Sequence, residues 1–285
     1  MLQEIRELGF EWAELSHGIR ISLLPGIFQA VEAGEIKIST LHNFCPLPMG
    51  IDHAAPNVYQ FSSIHPRERE NAFRHTLKTI EVAANLNAPV VVLHLGSIDS
   101  RDYQGKLAEL VKKGQRDTPR YSKLCDEVLA KLEERKETPF SLVKEALTNL
   151  AAEAEKKGIR LGIENRESIE ELPMDGDFHF LMKEFTQKSI GYWHDTGHAQ
   201  IKENLGFIHH QMHLQSMSSR LLGFHIHDVH APDRDHRIPG TGCVDFESLK
   251  EVVRPDHIKV FEFSPSLSPE EAKQGVEYIY KTWGH

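Results

Sequence analysis

The sequence lacks several features that would assign it to a specialised class of protein. It has no run of about 18 apolar residues, so no transmembrane helix is expected. Its first ten residues, MLQEIRELGF, are charged and amphipathic, unlike a secretory signal peptide. Its three cysteines, Cys45, Cys125 and Cys243, lie far apart without paired spacing. They predict a reducing, cytoplasmic compartment and no disulfide framework.

An excess of positive charge is also missing. The 285-residue chain has 33 Lys and Arg residues against 42 Asp and Glu residues, a formal net charge of -9. Because proteins that bind nucleic acid use basic surfaces to neutralise phosphates, no nucleic-acid partner is expected. Histidine, in contrast, is abundant, with 18 residues. It is the commonest metal ligand among side chains, so the placement of these histidines bears on function.

Short apolar segments rich in Val, Ile and Leu alternate with helical patterns along the chain. Seven segments are predicted to be strands, each followed by a helix: residues 11–16, 36–42, 89–96, 159–165, 190–197, 221–228 and 258–263. Regular βα alternation favours parallel strands covered by helices. With seven or eight such units in this length, the prediction is the α/β class and a (β/α)8 TIM barrel.

The beginning of the chain departs from the pattern of a complete barrel. It opens on a helical pattern with no strand before it, so the first strand is predicted to be missing or atypical. One domain is expected over residues 1–285, with a charged insertion at about 99–138 above the catalytic face. Helices are predicted at 70–88, 140–158, near 177–187, 205–219 and 245–253, and from about 269.

Ionisable side chains gather at the ends of six predicted strands, on one consistent parity: His42, His94, Glu164, Asp195, His225 and Glu262. A ring of buried acids would repel itself and lose hydration unless something neutralised it, and a divalent cation would do so. The carboxyl ends of barrel strands are also where active sites lie. The sequence therefore predicts a metal site there.

The segment GYWHDTGHAQ, residues 191–200, illustrates the prediction. Asp195 is the expected inward ligand at the strand end, Gly197 allows the chain to turn, and His198 returns to the site from a loop. Other histidines are assigned to packing or solvent. His194 faces the surrounding helices, His209, His210 and His213 fall in a predicted helix, and His17 lies just beyond the end of the first predicted strand.

Three segments together resemble one family. LGIEN, HDTGHA and FHIHDVHAPDRDHRIPGTGCVDF are similar to motifs of the xylose isomerase-like TIM-barrel superfamily, which includes sugar isomerases, sugar epimerases and zinc-dependent apurinic endonucleases. The resemblance implies a metal bound, as in the sugar epimerases, by Glu164, Asp195, His225 and Glu262. As in the endonucleases, it adds His42, His94, His198 and His236 as candidate ligands. The endonucleases' further Asp is replaced by Arg234, between Asp233 and Asp235, and the Gly240–Gly242 pair is expected to shape the metal-site loop.

The leading functional hypothesis is a divalent-metal-dependent isomerase or epimerase acting on a small sugar or sugar acid. Two catalytic carboxylates, Glu164 and Glu262, would remove and return a proton through an enediolate. The candidate substrate contacts are Arg166, His198, His236 and Trp193. The metal could be Zn, Mn, Co or Mg, and a homo-oligomer is left open. The alternatives are a metal-dependent phosphodiesterase resembling apurinic endonucleases and a non-catalytic metal-binding barrel.

Overall fold

The structure is a computed structural model that describes residues 2–284. The strands are β1 (Trp12–Leu15), β2 (Lys37–His42), β3 (Val90–Leu93), β4 (Arg160–Glu164), β5 (Ile190–Asp195), β6 (Leu221–Ile226), β7 (Asp228–His230), β8 (Arg234–Arg237) and β9 (Ile258–Phe261). The α-helices are α1 (Leu2–Glu7), α2 (Leu24–Glu32), α3 (Pro66–Asn85), α4 (Tyr103–Lys112), α5 (Pro119–Arg135), α6 (Glu137–Lys157), α7 (Phe178–Glu184), α8 (Thr196–Leu205), α9 (His210–Met217), α10 (Phe246–Leu249) and α11 (Pro269–Trp283).

Seven of the strands form one sheet with the order β1-β2-β3-β4-β5-β6-β9. These are the seven strands that the sequence predicts, and within residues 2–284 helix α1 precedes them with no strand before it. The two remaining strands, β7 and β8, pair antiparallel with each other. This hairpin was not predicted, because its polar residues lack the apolar alternation that indicates a strand.

The chain folds into two compact units, each made of several segments. The first contains residues up to Gly96, Pro139–Glu164 and Met182–Gly191. In it, β1 pairs with β2, β2 with β3 and β3 with β4, all in parallel. Strand β3 is completely buried, as expected for a parallel strand that is covered on both faces. The prediction of one domain over residues 1–285 stays a prediction.

The second unit contains Ser97–Thr138, Asn165–Leu181 and the residues from Tyr192 onward. In it, β5 pairs in parallel with β6, and β6 with β9. The predicted insertion belongs to this unit and forms helices α4 and α5. The Tyr121 hydroxyl of α5 donates a hydrogen bond of 2.8 Å to the Leu205 carbonyl at the end of α8. The expected position of the insertion above the catalytic face stays a prediction.

One predicted helix was wrong in its boundaries. The segment 205–219 is the end of one helix and the whole of another, because α8 already begins at Thr196 and α9 begins at His210. Gly206 separates them by adopting a left-handed conformation with φ of 86°, which favours glycine and ends α8. Helix α3 also begins earlier than predicted, at Pro66, a residue suited to the first turn.

Among residues 2–284, no helix is both long enough and apolar enough to cross a membrane.

Candidate metal centre

Glu164 is the last residue of β4, and two histidines of the same unit face its carboxylate. The Nε2 atom of His94 lies 2.7 Å from Glu164 Oε2, and the Nε2 atom of His42 lies 3.6 Å from it. The His42 Nδ1 atom is 3.1 Å from the Asn43 carbonyl, which can only accept, so Nδ1 carries the proton and Nε2 the lone pair. Metal-binding histidines typically donate from the other ring nitrogen in this way. The His94 Nδ1 atom likewise lies 2.9 Å from Asn57 Oδ1, so both histidines fit the predicted role of additional ligands.

In the second unit, three predicted ligands converge at the ends of β5, β6 and β9. The His225 Nδ1 atom lies 3.2 Å from Glu262 Oε2 and 3.9 Å from Asp195 Oδ2. Asp195 and His225 are completely buried, and Glu262, immediately after β9, is partly exposed. Two donors at about 2.1 Å from a common ion are about 3 to 3.5 Å apart, so the three side chains fit a divalent cation after a small adjustment.

The chain after Asp195 is helical, which corrects the prediction of a loop. The Asp195 side chain is the N-cap of α8, and its Oδ1 accepts a 2.7 Å hydrogen bond from the backbone N–H of His198. His198 therefore lies in the first turn of α8. Its Nδ1 donates to the Asn165 carbonyl at 3.0 Å, so its Nε2 carries the lone pair. Helix α8 starts here because Asp at the N-cap satisfies an unpaired N–H and faces the positive end of the helix dipole.

Gly197 is needed for a different reason from the predicted turn. A Cβ atom at this position would lie 2.0 Å from Cε1 of His227, so only glycine allows that ring to approach the helix. The His227 Nε2 atom lies 3.0 Å and 3.1 Å from the two carboxylate oxygens of Asp195. His227 was not among the predicted site residues. Its shared parity with His225 in FHIHD was the available signal.

The hairpin of β7 and β8 brings His236 to Glu262. The His236 Nε2 atom lies 3.6 Å from Glu262 Oε1, and its Nδ1 atom lies 3.1 Å from Asp235 Oδ2. Burial lowers the pKa of His236, but the two carboxylates outweigh it and raise that pKa to about 11. Asp233 instead forms an ion pair of 2.9 Å with Lys112. Of the two aspartates flanking Arg234, Asp235 is therefore the one beside a predicted site residue.

The loop after the hairpin is held by one buried carboxylate. Asp228 Oδ2 accepts hydrogen bonds from the N–H groups of Gly240 and Gly242 at 2.9 Å and 2.8 Å. Its Oδ1 accepts from the N–H groups of Val229 and Val244 at 2.8 Å and 3.0 Å. A Cβ at residue 242 would approach Asp228 Oδ1 to 2.4 Å, which explains the second glycine. The glycine pair shapes the loop because the backbone N–H groups of both glycines can approach and bind the Asp228 carboxylate.

The predicted substrate contacts have different surroundings. Arg166 is buried, and its Nε atom donates to Glu171 Oε1 at 3.2 Å. Burial raises the pKa of Glu171, but the Arg166 charge and the Ser168 N–H lower it overall. Trp193 is completely buried and packs edge-to-face on His225 at a centroid distance of 5.1 Å. Trp193 is therefore part of the core, and its ring offers no accessible surface on which a sugar could stack.

A further cluster was not predicted as such. Glu167, His198 and Asp235 each offer a potential ligand atom, and these atoms lie within 4.8 Å of one another. Burial and the nearby carboxylates raise the pKa of Glu167, against the opposing effect of His198. Glu167 follows β4 in an acidic stretch without an apolar pattern, so the sequence carried no signal that separated it from a solvated residue.

Parallel strands that alternate with helices, with Glu, Asp and His at the strand ends, define the class of α/β barrels. The chain belongs to the family described as xylose isomerase-like TIM barrel, which it matches over residues 2–282. Its fold is therefore that of a TIM barrel, with seven strands in the sheet among the described residues. No curated protein matches the chain in sequence.

Solved structures share the fold at low sequence identity. The 3-keto-D-glucoside 4-epimerase of E. coli has 14% identity and a TM-score of 0.68, and the match covers 98% of this chain and 92% of that one. The D-psicose 3-epimerase of Clostridium cellulolyticum H10 has 14% identity and a TM-score of 0.67, with coverage of 99% and 92%. A putative xylose isomerase of Rhodospirillum rubrum has 15% identity and a TM-score of 0.70, with coverage of 99% and 92%. At these identities the likeness establishes the fold.

Proposed function

We propose that the protein is a divalent-metal-dependent isomerase or epimerase of a small sugar or sugar acid. The observation that carries the proposal is the convergence of Asp195, His225 and Glu262 at three strand ends. Mixed carboxylate and imidazole ligands suit Zn, Mn, Co or Mg to different degrees. The family membership, and the two sugar epimerases among the structural neighbours, favour carbohydrate chemistry over other uses of such a site.

Glu164 is the proposed fourth ligand. It directly precedes Asn165, whose side chain exchanges two hydrogen bonds with the backbone of Asp195. The Asn165 Nδ2 atom donates to the Asp195 carbonyl at 2.9 Å, and Asn165 Oδ1 accepts from the Asp195 N–H at 2.7 Å. These bonds fix the backbone of Asp195 next to Asn165, the residue that follows Glu164 in the chain. His42 and His94, at the Glu164 carboxylate, are proposed as additional ligands of a second ion.

Two glutamates are proposed to move the proton. Glu262 is partly exposed while its carboxylate faces His225, so the same side chain can reach a substrate and a metal. Glu164, buried against His94, would act from the other proposed position. One carboxylate removes a proton beside the substrate carbonyl and the other returns one. A bound divalent ion would supply charge stabilisation for the enediolate. Arg166, His198 and His236 are proposed to hold substrate oxygens.

The test combines metal analysis with solvent exchange. Gently purified protein is expected to contain about one divalent ion per chain, and Asp195→Ala should remove most of it, whereas the exposed control Asp256→Ala should not. Ketoses, aldoses and sugar acids would then be incubated with the metal-loaded protein in deuterated water. One class should gain deuterium at the carbon beside its carbonyl. Protein that stays metal-free after incubation with Mn, Zn, Co and Mg would contradict the proposal.

A metal-dependent phosphodiesterase is the second candidate function. The specific observation in its favour is the pair of histidines at the Glu164 carboxylate, since additional ligands are a feature of the multi-zinc endonucleases that the sequence resembles. The net charge of -9 opposes this function, because phosphate-backbone binding needs compensating basic side chains. Arg234, where those enzymes have a further Asp, opposes it as well.

A further inference from the structure

We propose that His227 is a positioning residue that orients the Asp195 carboxylate for metal binding without binding the metal itself. This inference rests on the proposed function, because it assumes that Asp195 is a ligand. His227 lies between β6 and β7 and is completely buried. Its ring is held on two sides by groups whose roles as hydrogen-bond donor or acceptor are fixed.

The backbone fixes the tautomer of His227. The N–H of His236 donates a 2.9 Å hydrogen bond to His227 Nδ1. A backbone N–H can only donate, so Nδ1 carries the lone pair and the ring proton lies on Nε2. A proton on Nδ1 would face the His236 N–H and could not form this bond. The Nε2–H group therefore donates to Asp195 at 3.0 to 3.1 Å.

Both the backbone and the ring of His227 are closely packed by their neighbours, which form a socket around the residue. The Thr196 hydroxyl donates to the His227 carbonyl at 2.7 Å and accepts from the His227 N–H at 3.1 Å. The absent side chain of Gly197 leaves the space that the ring occupies. On another side the His236 ring stacks on it, with centroids 4.3 Å apart and an interplanar angle of 4°. This socket gives the imidazole little freedom to change its orientation.

The same contacts exclude His227 from direct ligation in this arrangement. A metal ligand needs a lone pair directed at the ion, and the one lone pair of the ring already accepts from His236. His227 lies near the candidate ligand atoms of two groups, one with Asp195 and His198 and one with His236 and Glu262. Its proximity to these atoms makes His227 a candidate ligand. Its hydrogen bonds instead make it a donor to the carboxylate of the proposed ligand Asp195.

His227 thus completes the orientation of Asp195. One carboxylate oxygen accepts from the N–H of His198, and the histidine ring approaches both oxygens. Partners of this kind fix the angle at which a carboxylate meets the ion, and their loss typically weakens metal affinity by about 10- to 100-fold. The contact with His236 also couples the ligand Asp195 to the position of the β7–β8 hairpin.

Two matched variants separate the two contacts of the ring. In His227→Gln the side-chain amide nitrogen reaches about the position of Nε2 and can still donate to Asp195. In His227→Asn the shorter amide can accept from the His236 N–H at about the position of Nδ1 but does not reach Asp195. We expect His227→Asn to weaken Co²⁺ binding by about 10- to 100-fold and to alter the visible spectrum of bound Co²⁺. His227→Gln should remain within a few-fold of wild type, with an unchanged spectrum.

The outcomes distinguish the alternatives. Equal, large losses of Co²⁺ in both variants would identify His227 as a ligand and overturn the proposal. Equal, small effects on Co²⁺ binding with similar losses of thermal stability would make His227 a structural residue and also overturn it. Failure of the proposed function is distinguishable, because wild-type protein would then bind no metal at all.

A measurement on metal-free protein tests the contact independently. In ¹⁵N-histidine-labelled protein, the His227 signals can be assigned by their loss in His227→Gln. Long-range ¹H–¹⁵N correlations should place the proton on Nε2 and a lone pair on Nδ1. A proton on Nδ1 would overturn the proposal whether or not metal binds.

Discussion

The Nδ1 atom of His225 lies 3.2 Å from a carboxylate oxygen of Glu262. The imidazole is completely buried, whereas the glutamate side chain is 30% exposed. One side of the contact is therefore fixed by packing, and the other can be reached from outside the core. This difference agrees with the roles proposed above, in which His225 is a ligand alone and Glu262 is a ligand that also exchanges protons with a substrate.

Replacing either proposed proton-transfer residue should slow turnover. Metal-loaded Glu164→Gln and Glu262→Gln are each expected to lose a factor on the order of 100 or more in rate on a confirmed substrate. Metal content must be measured in each variant, because loss of the ion would also abolish activity. The exposed Glu247→Gln serves as the control. Wild-type rates in both metal-loaded variants would mean that the two glutamates are ligands only.

Damaged DNA is expected to be a poor partner. At near-physiological salt the protein should show negligible binding to a duplex that contains an abasic site, and no strand cleavage, because its net charge is -9. Gel-based incision assays with and without added Zn²⁺ measure this directly. Specific, metal-dependent incision that Asp195→Ala abolishes would favour the phosphodiesterase function instead.

The histidines on α9 should make the protein less stable in acid. Burial lowers the pKa of His210 to about 3 and that of His213 to about 4, compared with an ordinary value near 6.5. As pH falls below about 6.5, the unfolded chain binds protons that the folded chain does not. The free energy of unfolding should therefore decrease between about pH 6.5 and pH 4, by up to about 1.4 kcal/mol per pH unit for the fully buried His210.

Urea denaturation at several pH values checks this dependence. His210→Gln should flatten the decrease, because glutamine binds no proton in either state, whereas the exposed control His53→Gln should leave it unchanged. The same slope in His210→Gln and wild type would show that His210 is not responsible.

The loop after the hairpin should depend on the charge of Asp228. Each carboxylate oxygen of Asp228 accepts from two backbone N–H groups. In Asp228→Asn an NH₂ group replaces one of these oxygens, so its hydrogens face two N–H groups that have lost their acceptor. The expected loss in the free energy of unfolding is about 2 kcal/mol or more, since bonds to a charged acceptor contribute about 1.5 to 3 kcal/mol each. Asp256→Asn, at an exposed position, is the control. A loss below about 0.5 kcal/mol would contradict this role.

Much of the fold could be predicted because its signals are local. Val90, Val91 and Val92 form a short apolar run that is buried as a strand, and the alternation of such runs with helical patterns gave the correct number of sheet strands. Helix α8 was missed because TGHAQIKENL has a weak apolar pattern. Its beginning depends instead on the Asp195 cap.

The candidate site was predicted through parity and resemblance, with definite gaps. The alternation in FHIHD indicated that His225 faces inward. It applied equally to His227, which nothing in the sequence distinguished as a partner of Asp195. Asp235 could not be separated from Asp233, because the hairpin that directs one to His236 and the other to Lys112 has no apolar pattern of its own.

The sequence by itself determined the seven strands of the sheet and the residue types at their ends, because the signals of a strand depend on neighbours a few positions away. Only the tertiary structure decided which side chains meet and which nitrogen of each histidine carries the proton. The tautomer of His227 depends on the N–H of His236, nine residues away, and its contact with Asp195 joins residues 32 positions apart. Such contacts depend on the path of the backbone through space, which no local pattern of residues specifies.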